Sequence, residues 1–127
     1  KDPKRYQVVV CSNLFGDILT DLGAAISGGM GLAAGANLNP ERTYPSMFEP
    51  IHGSAPDIAG TGKANPLASI WSASQMLDFF GHPEWGRRLL AIIEAMLVEK
   101  TILTPDMGGT ATTSEVGDEV VKRIEEA

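Results

Sequence analysis

The stretch Val8-Val9-Val10-Cys11 is apolar at every position. That is the pattern of a strand buried on both faces, not the alternation of a half-exposed one. Such a strand needs neighbouring strands and a cover of helices, so an α/β class is expected, with helices packed on a mixed sheet. Only three further strand candidates can be read, near residues 32–36, 45–51 and 102–104. Four strands at most make a thin helix-covered sheet, and the chain opens Lys1-Asp2-Pro3 without a methionine. The sequence is therefore expected to be an incomplete part of a longer protein. Its 127 residues, 43% of them hydrophobic, still suffice for one globular core.

Charge and cysteine usage exclude several function classes. A formal net charge of -6 argues against nucleic-acid or anionic-membrane partners, which require a concentrated basic face. No run approaches the roughly 18 apolar residues of a membrane span, and no signal-peptide pattern opens the chain. The single cysteine, Cys11, cannot form an internal disulfide. A reduced, cytoplasmic setting is the expectation.

Four helices follow from periodicity and caps. Asn13 can cap the first, on which Phe15, Leu19, Leu22 and Ile26 recur at helical spacing until Gly28 and Gly29 end it. Asn65-Pro66 opens a second helix, whose apolar residues Leu67, Ile70, Trp71, Met76, Leu77 and Phe80 spread round most of its surface and predict burial on more than one side. After Pro83, Trp85, Leu89, Ile92, Ile93, Met96 and Leu97 share one face of an amphipathic third helix. The last begins at Thr112 with Glu115 three residues on, a capping box, and carries Val116, Val120, Val121 and Ile124 as a stripe.

Between residues 50 and 65 no period survives. Glycine, proline and small residues dominate there, and a loop of that length inside a compact domain usually binds something or moves. Within it, Glu49-Pro50-Ile51-His52-Gly53-Ser54-Ala55-Pro56-Asp57-Ile58-Ala59-Gly60 offers small side chains beside free backbone N–H groups, which close approach to a phosphate demands. A carboxylate at Asp57 can bond a ribose 2′-hydroxyl and repels a 2′-phosphate, favouring NAD over NADP. Composition alone fits an ordinary surface loop equally well, with Asp57 a turn residue and His52 a packed histidine.

Asp17 and Asp21, four apart on the first helix, project from one face. Left alone they repel by about 0.2–0.5 kcal/mol, a sign that Mg²⁺ or Mn²⁺ would reverse. By spacing alone, two aspartates on a solvated face are the commoner arrangement. Gly29-Met30-Gly31-Leu32-Ala33-Ala34 satisfies the loose dinucleotide fingerprint but follows a helix and runs into an extended segment, the wrong context. Gly62-Lys63 lacks the rest of a P-loop, and Cys11 has no evident activation, so both read as structural.

Taken together, Ser12-Asn13-Leu14-Phe15-Gly16-Asp17-Ile18-Leu19-Thr20-Asp21 and Phe48-Glu49-Pro50-Ile51-His52-Gly53-Ser54-Ala55-Pro56-Asp57-Ile58-Ala59-Gly60 resemble the isocitrate and isopropylmalate dehydrogenase family. The likeness runs over essentially the whole chain. Asn37-Leu38-Asn39-Pro40-Glu41-Arg42, Pro45-Ser46-Met47-Phe48 and Gly108-Gly109-Thr110-Ala111-Thr112-Thr113-Ser114 look most like its tartrate and D-malate branch. The resemblance implies an isopropylmalate-dehydrogenase-like fold, incomplete in this chain. Residues 1–27 would end a central dimer and metal domain, and residues 28–127 would form the carboxyl-terminal half of an NAD-binding domain. It implies Asp17 and Asp21 as metal ligands at a homodimer interface. Glu49, His52, Gly53, Ser54, Ala55, Asp57, Ile58 and Asn65 would lie around the adenosine half of NAD, with Asp106 also facing the cofactor. The implied reaction is NAD-dependent oxidation, with or without decarboxylation, of a small 2-hydroxy acid such as tartrate or D-malate, with 3-isopropylmalate as the alternative substrate. The metal polarises the substrate oxygen and stabilises the charge left where CO₂ departs. The family's catalytic lysine and tyrosine and its substrate-clamping arginines match no residue here. The isolated piece would then be a binding fragment without turnover.

Overall fold

A computed structural model describes residues 3–126. Its order is α1 (Asn13–Ile26), β1 (Ala34–Asn37), β2 (Met47–Pro50), α2 (Leu67–Phe79), α3 (Pro83–Glu99) and α4 (Thr113–Glu126), with short 3-10 turns at Pro3–Arg5, Met30–Leu32, Pro56–Ile58 and Pro105–Met107. The class is α/β, helix-rich, as expected. The sheet is smaller than expected: β1 and β2 form one antiparallel pair in the register Ala34↔Pro50, Gly35↔Glu49, Ala36↔Phe48 and Asn37↔Met47.

Two strand expectations are corrected. Residues 8–11 pair with no strand among the described residues, and Val8, Val9 and Val10 are exposed. An all-apolar run announces burial, but its partner must be supplied by other chain, and none reaches it here. Residues 102–104 form no strand: a bend at 101–102 leads through Leu103 and extended Thr104 into the turn at Pro105–Met107. Their apolar character serves the core instead, with Leu103 and Thr104 both buried.

The core lies where α2, α3 and α4 meet. Leu67, Ile92, Ile93, Met96, Val116 and Val120 form one buried cluster, flanked by Leu32, Ile70, Trp71, Leu89 and Leu97. Helix α2 packs on α3 and on both strands, which is why its apolar residues spread round it. Met76 and Phe80, expected inside with them, are exposed. So is Trp85, which carries the Arg88 guanidinium 5.1 Å from its ring centre. The Ser74 hydroxyl donates to the Gly86 carbonyl at 2.9 Å and ties α2 to α3.

Helix α4 has the capping box its sequence predicts. The Thr112 N–H donates to Glu115 Oε2 at 2.7 Å, and the Glu115 N–H donates back to Thr112 Oγ1 at 3.3 Å. These bonds to Thr112 hold the Glu115 carboxyl below its ordinary value. A lowered folded-state value contributes stability that is present above the ordinary carboxylate range and is lost as pH falls through the lowered value. The first turn of α4 is therefore expected to fray below about pH 4, read as faster amide exchange at residues 113–116. Glu115→Gln should abolish that pH dependence, and an unchanged profile would refute the assignment. At the other end of α4, Arg123 bridges Glu99 on α3 and Glu119 at 2.6 Å each, and its proton is held more tightly, chiefly by the Glu99 bond.

Helix α1 stands apart from this core. It ends where the Gly29 N–H returns to the Ala24 carbonyl at 2.9 Å, and Ala24 is its one buried residue. Leu14, Phe15, Ile18, Leu19, Leu22 and Ile26 are each more than half exposed. The chain presents 8991 Å² to solvent, against about 6,500 Å² for a compact monomer of its mass. Among the described residues no helix is long and apolar enough to cross a membrane.

Candidate cofactor cleft and carboxylate pair

The periodless stretch after β2 forms a cleft of about 490 Å³. Its floor and near wall come from the loop itself: His52, Gly53, Ser54, Ala55, Ile58, Ala59, Gly60, Gly62, Lys63 and Ala64. Asn65, at the start of α2, Asp106, Thr113 and Gly31 close the far side. The loop holds its shape through its own backbone. Ala55 takes a left-handed conformation that sets up the turn at Pro56–Ile58, and the Thr61 hydroxyl donates to the Ile58 carbonyl at 2.7 Å. Helix α4 then pins the outer end: the Thr113 N–H donates to the Gly62 carbonyl at 2.8 Å, and its hydroxyl to the Ala64 carbonyl at 2.5 Å.

Gly53 lies on an open part of the cleft. It has no left-handed φ, and a methyl group there would meet nothing within 4 Å. The space over Gly53 is therefore open, and the residue lines the cleft. His52 Nδ1 lies 3.0 Å from the Gly53 carbonyl. Since a carbonyl only accepts, this contact is a hydrogen bond when Nδ1 carries a proton.

Of the residues read from the sequence as cofactor-binding, His52, Gly53, Ser54, Ala55, Ile58 and Asn65 line this cleft. Asp57 stands exposed in the turn beside it, and Glu49 is exposed on β2, paired with Gly35 across the sheet. Neither lines the cleft. Sequence reading missed Gly31, Lys63 and Thr113 as lining residues. Lys63 belongs to a dipeptide too short to carry a phosphate motif, and Gly31 and Thr113 reach the cleft only through tertiary packing. The fingerprint-like run 29–34 lies between α1 and β1 as a 3-10 turn, so it is not a strand-to-helix dinucleotide loop.

Asp17 and Asp21 are both exposed, one turn apart on α1. The Asn13 side-chain amide donates to Asp17 Oδ2 at 3.2 Å, which orients that carboxylate. Neither aspartate lines the cleft, and no third histidine, cysteine or carboxylate joins them among the described residues. Two hard oxygen donors on one helix face suit part of the shell of Mg²⁺ or Mn²⁺, whose remaining ligands must come from elsewhere. A second cleft, about 570 Å³, lies between α1 and the α2–α3 pair and is lined by Ala24, Leu32, Trp71, Ile93 and Leu97. Its walls are those of an apolar core open on one side.

Residues 1–120 match the family model described as isocitrate/isopropylmalate dehydrogenase. A probable tartrate dehydrogenase/decarboxylase of Bacillus subtilis is 52% identical over 96% of this chain and 34% of its own length. The decarboxylating D-malate dehydrogenase of Escherichia coli is 54% identical over 96% of this chain and 35% of its own. The crystal structure of isocitrate dehydrogenase from Methylococcus capsulatus superposes with a TM-score of 0.85 at 42% identity, over 96% of this chain and 36% of that one. The chain thus spans about a third of the length of the curated relatives it matches. In sequence over nearly its whole extent, and in the path of its helices and strand pair, the chain belongs to the isocitrate/isopropylmalate dehydrogenase family.

Proposed function

We propose that the full-length protein containing this chain oxidises and decarboxylates a small 2-hydroxy acid of the tartrate or D-malate type, using NAD and Mg²⁺ or Mn²⁺. The observation that carries this reading is the small-residue cleft over Gly53, closed by Asn65 and the start of α4. Membership of a dehydrogenase family supports the reaction. Tartrate and D-malate dehydrogenases are above half identity, as are 3-isopropylmalate dehydrogenases, so 3-isopropylmalate is the alternative substrate.

In this reading the loop accepts the adenosine half of the dinucleotide. Backbone N–H groups around Ser54 and Ala55 meet phosphate oxygens, with His52 beside them, and Asn65 faces the base. Asp57 accepts from the ribose and Ile58 packs against it, with Glu49 alongside on the strand leading in. Asp17 and Asp21 supply two charged ligands to the dication. When bound, the dication polarises the substrate oxygens and NAD takes up the hydride. Proton transfer and the clamping of substrate carboxylates are assigned to the remainder of the full-length protein.

The same reading divides the chain into residues 1–27, the end of a dimer and metal domain, and residues 28–127, half of the cofactor domain. The bare apolar face of α1 then packs against a second copy, which completes the metal site. An area excess of about 2,500 Å² over a compact monomer suits an obligate interface together with the rest of the cofactor domain.

The test is full-length protein with NAD, Mn²⁺ and, side by side, D-malate, tartrate and 3-isopropylmalate, followed by NADH absorbance. Turnover of D-malate or tartrate above 3-isopropylmalate is expected. No NADH with any acid overturns the reaction, and turnover of 3-isopropylmalate alone overturns the substrate class. Asp57→Lys should lower the NAD:NADP ratio of kcat/KM by at least about tenfold, the loss expected for one charged hydrogen bond. An unchanged ratio removes Asp57 from cofactor choice.

A further inference from the structure

We propose that Thr104, Asp106 and Gly31 form a positioning unit that locks the side-chain amide of Asn65 in one orientation, and so sets the affinity of the cleft for the adenosine half of the dinucleotide. The inference rests on the cofactor reading above and assigns roles that this reading leaves open.

The chain of bonds begins inside the core. Thr104 is 1% exposed, and its hydroxyl donates to Asp106 Oδ1 at 2.5 Å. The other carboxylate oxygen, Oδ2, accepts from Asn65 Nδ2 at 3.0 Å. Asn65 Oδ1 in turn accepts the Leu67 N–H at 3.0 Å and so caps the first turn of α2. Each end of the amide therefore has a partner of the correct polarity. Rotating the amide by half a turn would set its oxygen against the Asp106 carboxylate and its N–H groups against the Leu67 N–H, which are two repulsive contacts in place of two bonds. Asn65 itself lines the cleft, so the orientation of its amide bears on what docks there.

Gly31 seats the pair. A methyl group on Gly31 would lie 2.6 Å from Asp106 Oδ2 and 3.0 Å from both Cβ and Nδ2 of Asn65. Gly31 has no left-handed φ, so the missing side chain serves this close approach and not a turn. The second glycine of the fingerprint-like run thus has a use unrelated to phosphate. It lets the turn at Met30–Leu32 close on the Asn65–Asp106 pair at the cleft wall. An amide held this way loses no rotamer freedom when a base docks, which is the energetic gain of preorganisation.

Because Thr104 is buried and of fixed shape, two substitutions separate positioning from packing. In full-length protein, calorimetric titration with ADP-ribose reads the adenosine half without requiring turnover. Thr104→Val keeps the shape and removes the hydroxyl, and is expected to weaken ADP-ribose binding about three- to tenfold. Thr104→Ser keeps the hydroxyl and trims the methyl, and is expected to bind within about twofold of wild type while melting lower. Gly31→Ala, which alters no hydrogen-bonding group, should weaken binding about tenfold by displacing the carboxylate. Val binding like wild type while Ser binds worse would show packing alone and overturn the proposal. Wild-type protein that gives no heat with ADP-ribose overturns the cofactor reading and this inference together. Wild-type binding left unchanged by Thr104→Val and Gly31→Ala overturns the inference alone.

Discussion

Gly109→Ala is expected to destabilise the protein by more than about 4 kcal/mol, in the range reserved for frank steric conflict with backbone. An added Cβ would sit 1.9 Å from the Leu103 carbonyl oxygen and 2.5 Å from its carbon. Neither atom can retreat. The Leu103 carbonyl accepts the Ala111 N–H at 2.9 Å, and the Gly109 N–H donates to the Thr104 carbonyl at 3.1 Å, so both sides of the contact are fixed. Leu103 and Thr104 are buried, and relief by backbone movement would propagate into close-packed interior. The same movement would displace Asp106 and so open the Asn65 side of the cleft. Thermal unfolding of full-length protein, with soluble yield, checks the prediction. A variant melting within a degree or two of wild type would refute the close approach of residue 109 to residue 103.

Asp17→Asn should move activity and stability in opposite directions. If Asp17 is a metal ligand, the Mn²⁺ concentration for half-maximal turnover should rise by at least about tenfold, since even outer-shell changes cost about 10–100-fold. Without metal the same substitution removes one member of a like-charge pair one helical turn apart, a gain of about 0.2–0.5 kcal/mol. The apoprotein should therefore melt slightly higher while the enzyme demands more metal. The Asn13 amide that orients Asp17 at 3.2 Å can still meet the oxygen of an asparagine, so loss of local structure would not produce this pattern. Unchanged metal dependence would leave Asp17 and Asp21 as surface charges on α1.

Local signals in the sequence were reliable where short-range physics governs. Periodicity located all four helices, the Thr112–Glu115 box appeared with both of its bonds, and Asn65 capped α2 through the Leu67 N–H. The loop of residues 50–65 has no period and forms a cleft, lined by six of the eight residues proposed for the cofactor; their binding role rests on the proposed function. The failures share one cause. Val8–Cys11 reads as a central strand, and half of the α4 stripe, Val121 and Ile124, reads as core, yet all of them are exposed. Apolar character states a demand for burial but does not say which segment meets it.

The sequence by itself determined the helices, their caps and the chemistry available to the loop, because each depends on residues within about one turn of one another. Only tertiary structure decided that Gly31, Asn65, Asp106 and Thr113 share a wall. Those residues lie on four separate segments, and their meeting depends on how α2 and α4 dock on the core. Hydrogen bonds such as Asn65 to Asp106 span 41 residues and leave no periodic trace in the chain. The same physics leaves the apolar face of α1 bare: its pattern specifies a contact, and a contact needs a second surface.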